Sequence, residues 1–198
     1  MLLNSVEKAM LNNPLRASLQ RRFEAPRLLS MGGRMSGGLA LEVGCGRGVG
    51  TQLIFDYFGA DRVDAFDLDP DMLRRASRRL ARYSDRVRLT IGDVTAIQAE
   101  NATYDAVFDF AVVHHVPAWL DALREIHRVL KPGGRFYAEE VLVKFIQSPL
   151  SRRLFDHPLE DRFDHERFCD GLEEAGLRIV ATRQIWEQVG WFVAEKPY

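Results

Sequence analysis

The sequence predicts an α/β fold: a doubly wound, mostly parallel sheet of seven strands, helices on both faces, and an antiparallel hairpin at the C-terminal edge. Three observations carry this. Short apolar runs alternate with amphipathic segments through the middle of the chain, the pattern of parallel βαβ units. One such run enters a glycine-rich turn, LEVGCGRGVG at Leu41–Gly50, and a helix follows. In the last third the alternation stops. LRIVATRQIW and VGWFVAEKP lie only a few residues apart, and a parallel pair would need a long crossover, so these two runs pair antiparallel.

The elements follow in order. Val6 and Met10 share a helical face. Pro14 starts a second helix continued by Leu15, Leu19 and Phe23, and Pro26 ends or kinks it. MGGRMSGG is a flexible joint into the first strand, LALEVG. GVGTQLIFDYFG reads as a helix closed by Gly59, RVDAFDLD as the second strand, and PDMLRRASRRLARYS as a helix with Pro70 at its first position. RVRLTIGD is the third strand and YDAVFDFAVV the fourth. WLDALREIHRVL is a helix stopped by KPGG, RFYAEEVLV is the fifth strand, and HERFCDGLEEAG is a helix ending at Gly176.

The chain has 198 residues, which suits one domain: an N-terminal helical lid (1–33), a ligand-binding core (34–143), a variable cap (144–163), and a final helix with the edge hairpin (164–198). A net charge of −1 argues against a general polyanion binder. Cys45 and Cys169, the two cysteines, form no disulfide framework and have no metal-site spacing, and no metal is expected. The N-terminus carries no signal-peptide pattern and no run approaches the ~20 residues of a membrane span, so the expectation is a cytoplasmic protein without integral membrane association.

The glycine turn is not the dinucleotide fingerprint: counting from Gly44, position six is Val49. A strand, a glycine turn and a helix still place backbone N–H groups and a positive helix end against a ligand. Gly44 and Gly46 allow close approach, while Gly48 and Gly50 serve helix entry and packing. Glu42, just before the turn, suits a cationic, amine-bearing ligand or a bound water better than a pyrophosphate. Asp67 ends the second strand, where a carboxylate accepts both hydroxyls of a ribose. Asp69, followed by Pro70, is a helix N-cap. Asp93 follows the third strand, and a turn cap is its alternative reading.

LEVGCGRG, AFDLDPDML, IGDV, YDAVFDFAVVHHV and LREIHRVLKPGGRFYAEE stand in the order and spacing of one family. From about Leu39 to Val141 the chain resembles the class I S-adenosylmethionine-dependent methyltransferases, with their Rossmann-like fold. The tail is similar to that family's final helix and hairpin. The resemblance implies S-adenosyl-L-methionine as cofactor. Glu42 and the Gly44–Cys45–Gly46 turn would hold its methionine part, and Asp67 its ribose. Leu68 and Met72 would flank the adenine, and Asp93 and Val94 would meet its edge. Asp109, Phe110 and Ala111 would line the methyl end. Asp105 belongs to the family pattern but caps the strand entry.

The place of the [D/N/S]-P-P-[Y/F] motif of amino-methylating nucleic-acid enzymes reads DFAV, and no Pro-Cys nucleophile of a cytosine-C5 enzyme is present. Glu139 and Glu140 lie on the fifth strand, not in the acidic loop of a protein-arginine enzyme. Arg74, Arg75, Arg78, Arg79 and Arg82 cover more than one helix face and read as a solvated surface, so no nucleic acid is expected. A small-molecule acceptor is expected. Arg16, Arg21, Arg22 and Arg27 and the cap segment, mixed with Phe and Leu, point to an apolar body with an anionic group. Of His114 and His115, which follow the fourth strand, His115 is the candidate base; His127 is structural. Two alternatives stand: a non-catalytic S-adenosylmethionine-binding protein, and a nicotinamide oxidoreductase, which Val49 and the hairpin disfavour.

Overall fold

Strand order explains where a ligand can sit. The computed structural model describes residues 14–154 and 160–198; Val6 and Met10 lie outside them. The strands β1 (Leu39–Val43), β2 (Arg62–Asp67), β3 (Val87–Ile91), β4 (Tyr104–Phe110), β5 (Leu130–Val141), β6 (Arg178–Ile185) and β7 (Val189–Glu195) form one sheet in the order β3-β2-β1-β4-β5-β7-β6. β1 to β5 are mutually parallel, and β7 runs antiparallel to both β5 and β6. The doubly wound sheet and its C-terminal hairpin are as the sequence predicts.

The helices are α1 (Pro14–Leu19), α2 (Ala25–Gly32), α3 (Val49–Leu53), α4 (Pro70–Arg79), α5 (Trp119–Val129), α6 (Val143–Ile146), α7 (Pro149–Leu154) and α8 (His165–Glu174). Asp69 caps α4 by accepting from Asp71 N at 2.8 Å, with Pro70 in the first turn. α8 ends in a Schellman arrangement: Gly176 has φ +88°, and Leu177 N donates to Leu172 O at 2.9 Å.

Strand alternation sorts the core into two layers. Leu41, Val43, Val107, Phe136 and Ala138 face α5 and α8, packing on Leu123, Ile126, Phe168 and Leu172. Ala40, Ala65, Phe108, Phe110 and Tyr137 face the other way, against Leu28 of α2 and Leu53 and Phe58 at α3. The polar side chains at the strand ends inherit the same parity.

Four boundaries differ from the sequence reading, each for a visible reason. Pro26 does not end the first helix: a π turn (Gln20–Glu24) absorbs its missing N–H, Ala25 N bonds to Gln20 O, and α2 runs on to Gly32. β4 stops at Phe110 rather than Val113, because Ala111 turns to φ +67° and Asp109 Oδ1 accepts from Val112 N at 2.9 Å. α5 gives way to extended chain at Leu130, so KPGG lies within β5. The hairpin turns on Trp186 and Glu187, both at positive φ (+52° and +58°), where Asn-Gly would be the expected pair.

Candidate functional site

A cavity of about 420 Å³ opens at the carboxyl ends of β1, β2 and β4. β1 is the point where the strand order reverses, and in open α/β sheets ligands bind in that crevice. The volume suits one small-molecule ligand. Glu42, Gly44, Cys45 and Gly46 form one wall. Asp67, Leu68 and Met72 form the next, with Asp93 and Val94 beside them, and Phe110 and His115 close the far end.

Each glycine of the turn has its own reason. Gly46 has φ +51°, and a Cβ there would meet nothing within 4 Å, so the space over it is left to the cavity. Gly44 has φ +61°, and its Cβ would strike Val112 at 2.6 Å, so this glycine also serves the packing of the loop after β4. Gly50 lines the cavity too: a Cβ there would collide with Glu42 Oε1 and with Phe110.

Glu42 is 2% exposed and accepts from the Thr51 hydroxyl. Burial, reinforced by the charges of Asp67 and Asp109, pushes its carboxyl up to about 8 against the opposing bonds from Thr51. Asp67 holds the turn closed: Oδ2 accepts from Gly46 N at 2.7 Å and Oδ1 from Asp69 N at 2.8 Å. Asp93 caps its own turn, accepting through Oδ1 from Thr95 N at 2.9 Å and from the Thr95 hydroxyl at 2.8 Å.

Asp109 sits apart from the cavity wall. It is fully buried and does not line the cavity; its neighbours Phe110 and Ala111 do. Glu42 and Phe110 point to the α2–α3 face, and alternation sends Asp109 to the α5–α8 face. There burial and the adjacent Glu140 hold its carboxyl well above the usual range. Glu139 and Glu140 split in the same way. Glu139 goes to the α1 side, where Arg16 spans Glu139 at 3.5 Å and Glu24 at 3.3 Å. Glu140 goes to the other face and meets His114 Nδ1 at 2.6 Å.

Of the N-terminal arginines, Arg16 lines the cavity with Gln20. Arg21 pairs instead with Asp56 at 3.1 Å, and Arg27 stacks on Trp191 at 4.3 Å. Arg74, Arg75, Arg78 and Arg79 of α4 are exposed. Gln20, Thr51 and Val112 were not singled out from sequence. Thr51 carries a usable signal, since a hydroxyl in the first turn after a glycine loop lies within reach of the strand that precedes it. Among the described residues, no group of three His, Cys, Asp or Glu is placed to hold a metal, and no helix is long and apolar enough to cross a membrane.

Residues 40–134 match the family described as "Methyltransferase domain". "Phosphoethanolamine N-methyltransferase 2" of Caenorhabditis elegans is 35% identical over 96 residues, which is 48% of this chain and 22% of that protein. A "Probable S-adenosylmethionine-dependent methyltransferase" of Mycolicibacterium smegmatis is 36% identical over 165 residues, 79% of this chain and 58% of that protein. The chain thus spans less than two thirds of the length of these curated relatives. A SAM dependent methyltransferase from Aquifex aeolicus has the same fold, with a TM-score of 0.76 at 20% identity over 98% of both chains. Residues 40–134 are thus a methyltransferase domain, and the chain as a whole has the fold of the class I S-adenosylmethionine-dependent methyltransferases.

Proposed function

We propose that this chain binds S-adenosyl-L-methionine in the cavity and catalyses transfer of its methyl group to a small-molecule acceptor. One observation carries the reading. The cavity is framed by carboxylates, Glu42 beneath the glycine turn, Asp67 at the end of β2 and Asp93 after β3. Such a frame repels a pyrophosphate and fits an amino-acid-bearing adenosine. Glu42 would take the ammonium, Asp67 the ribose hydroxyls, and Asp93 and Val94 the adenine edge, with Leu68 and Met72 against the ring faces. Gly44, Cys45 and Gly46 would pass along the methionine chain.

Bound there, S-adenosylmethionine supplies an electrophilic methyl on a sulfonium. The protein's task is to align an acceptor behind that methyl in a dry site, and positioning of this kind supplies roughly 7–11 kcal/mol of barrier reduction. Phe110 and Ala111 stand at the far end of the cavity, where their apolar side chains would help to exclude water. His115, on the same wall, would accept the acceptor's proton where one must leave. The helix bearing Arg16 and Gln20 and the cap segment would close over the acceptor as lids, favouring an apolar body with an anionic group. A small-molecule acceptor is supported by the phosphoethanolamine relative; the atom methylated is open among O, N and C.

Calorimetric titration with S-adenosylhomocysteine and with NAD, followed by turnover on an acceptor panel, tests the reading. Binding of S-adenosylhomocysteine and transfer to one panel member are expected. Binding of NAD alone would overturn the cofactor assignment, and cofactor binding with no turnover on any acceptor class would favour a non-catalytic binding protein.

A further inference from the structure

The turn that carries His115 is built by residues outside the cavity. Regular pairing of β4 ends at Phe110, and Val113–His115 forms a single 3₁₀ turn. Glu140, fully buried on β5, draws this turn inward with three bonds: Val113 N donates at 2.7 Å, His114 N at 3.2 Å, and His114 Nδ1 lies at 2.6 Å. Arg162, 6% exposed and located in the cap segment, holds the carbonyl side. Its guanidinium donates to His114 O at 2.7 Å and to Val116 O at 3.3 Å, while its Nε donates to Glu160 O at 2.8 Å. The His115 ring packs on the His114 ring, centroids 4.1 Å apart, and reaches the cavity wall.

We propose that Glu140, acting through His114, and Arg162 are positioning residues that aim the His115 imidazole at the acceptor, so that the cap segment helps set the base in place. The proposal rests on the reading of His115 as the base at a methyl-transfer site. The turn closes on its own backbone, with His115 N donating to Val112 O and Val116 N to Val113 O, and Asp109 ties its start to β4 by accepting from Val112 N. Glu140 and Arg162 are the side chains that grip His114 itself, one by its N–H and ring and the other by its carbonyl, so the setting of the adjacent His115 ring depends on them. Neither task passes to a close substitute. A glutamine at 140 would present amide hydrogens where the His114 N–H and Nδ1–H also donate, leaving buried donors facing each other. A lysine at 162 keeps the charge but loses the planar fork that spans two carbonyls.

The test uses the full chain with ring-labelled histidine, followed by NMR with and without S-adenosylhomocysteine; H115Q identifies the His115 signals. In E140Q and in R162K, the His115 ring signals should lose the shift imposed by the His114 ring and broaden, with S-adenosylhomocysteine affinity unchanged. On an acceptor found in the panel, kcat should fall about 100-fold, the scale of a 1 Å misplacement, with KM for S-adenosylmethionine unchanged. His115 signals and titration that coincide with the wild type in the folded variants would overturn the proposal. Should E140Q fail to fold, R162K, which preserves the charge, decides alone. Failure of the wild type to bind S-adenosylhomocysteine would sink the cofactor reading instead, and the histidine signals would still report on the turn.

Discussion

Glu42 and Glu140 are the same residue type, both at the carboxyl end of a strand in one sheet, and both almost entirely buried. They differ in what satisfies them. Glu140 is met by two backbone N–H groups and a histidine ring from one turn, and by the carboxyl of Asp109 beside it. Glu42 leans on Thr51 and opens into a cavity. A buried carboxyl whose partners come from the protein does structural work, because removing it strands several donors at once. One that is only partly met, beside an empty volume, is kept for a ligand. Burial alone does not separate the two roles; the list of partners does.

The sharpest way to break this contrast is to remove one carboxylate from each side. Asp67 belongs with Glu42 on the cavity side. In Asp67→Ala the Gly46 N–H loses its acceptor, and the proposed ribose contacts go with it. With charge-assisted bonds worth about 1.5–3 kcal/mol each, S-adenosylhomocysteine affinity should fall about 100-fold or more, with a fall in Tm smaller than that of Glu140→Ala, because Asp67 is only half-buried and water can reach the donors it leaves. Glu140→Ala should do the reverse. It should cost about 3 kcal/mol of stability, read as a fall in Tm of about 6–12 °C, while cofactor affinity in the folded fraction holds. If both variants lose affinity and stability together, the two carboxylates belong to one network and the contrast fails.

The same contrast explains what could be read in advance. The cavity side is written in local sequence: a glycine turn between a strand and a helix, with Glu42 before it and Asp67 at the end of the next strand. The closed side is made of pairs that come together only on folding, Arg162 with the carbonyl of His114, and Arg16 with Glu139. No spacing rule reaches across 48 or 123 positions. Asp109 shows a subtler limit. The motif placed it at the methyl end with Phe110, yet alternation cannot send both side chains to one face. The hairpin turn at Trp186 and Glu187 carries no Asn-Gly signal, and its type is visible only in the backbone angles.

A smaller effect sharpens the ligand-side half. In the empty protein Glu42 is protonated below about 8, because burial disfavours its charge. If the cofactor's ammonium is held by the ionised form, binding near pH 7 must release a proton. S-adenosylhomocysteine affinity should then rise with pH toward about 8, by at most about tenfold per unit. Calorimetry in buffers of different ionisation enthalpy would count the proton. Glu42→Gln should bind more weakly and lose the slope. A slope that survives in the glutamine variant would assign the proton to another group.

The smallest effect concerns the carboxyl at Glu24, which faces Glu139 across Arg16. Two influences compete there. Burial and the charge of Glu139 raise its pKa to about 9, while Arg16 pulls it down. A carboxyl whose folded pKa lies above its unfolded value stabilises fully below the unfolded value, and that contribution is lost as pH climbs through the folded one. Glu42 and Glu140 are shifted in the same direction, so Tm in the absence of ligand should decline from about pH 5 toward pH 9. Glu24→Gln cannot ionise. Its decline should be shallower than the wild type's by about 2–4 °C at pH 9, the equivalent of about 1 kcal/mol in a chain of this size. Parallel curves would mean that Arg16 overcomes burial and keeps Glu24 charged. The α1 side would then be an ordinary ion triad, with no carboxyl held in reserve.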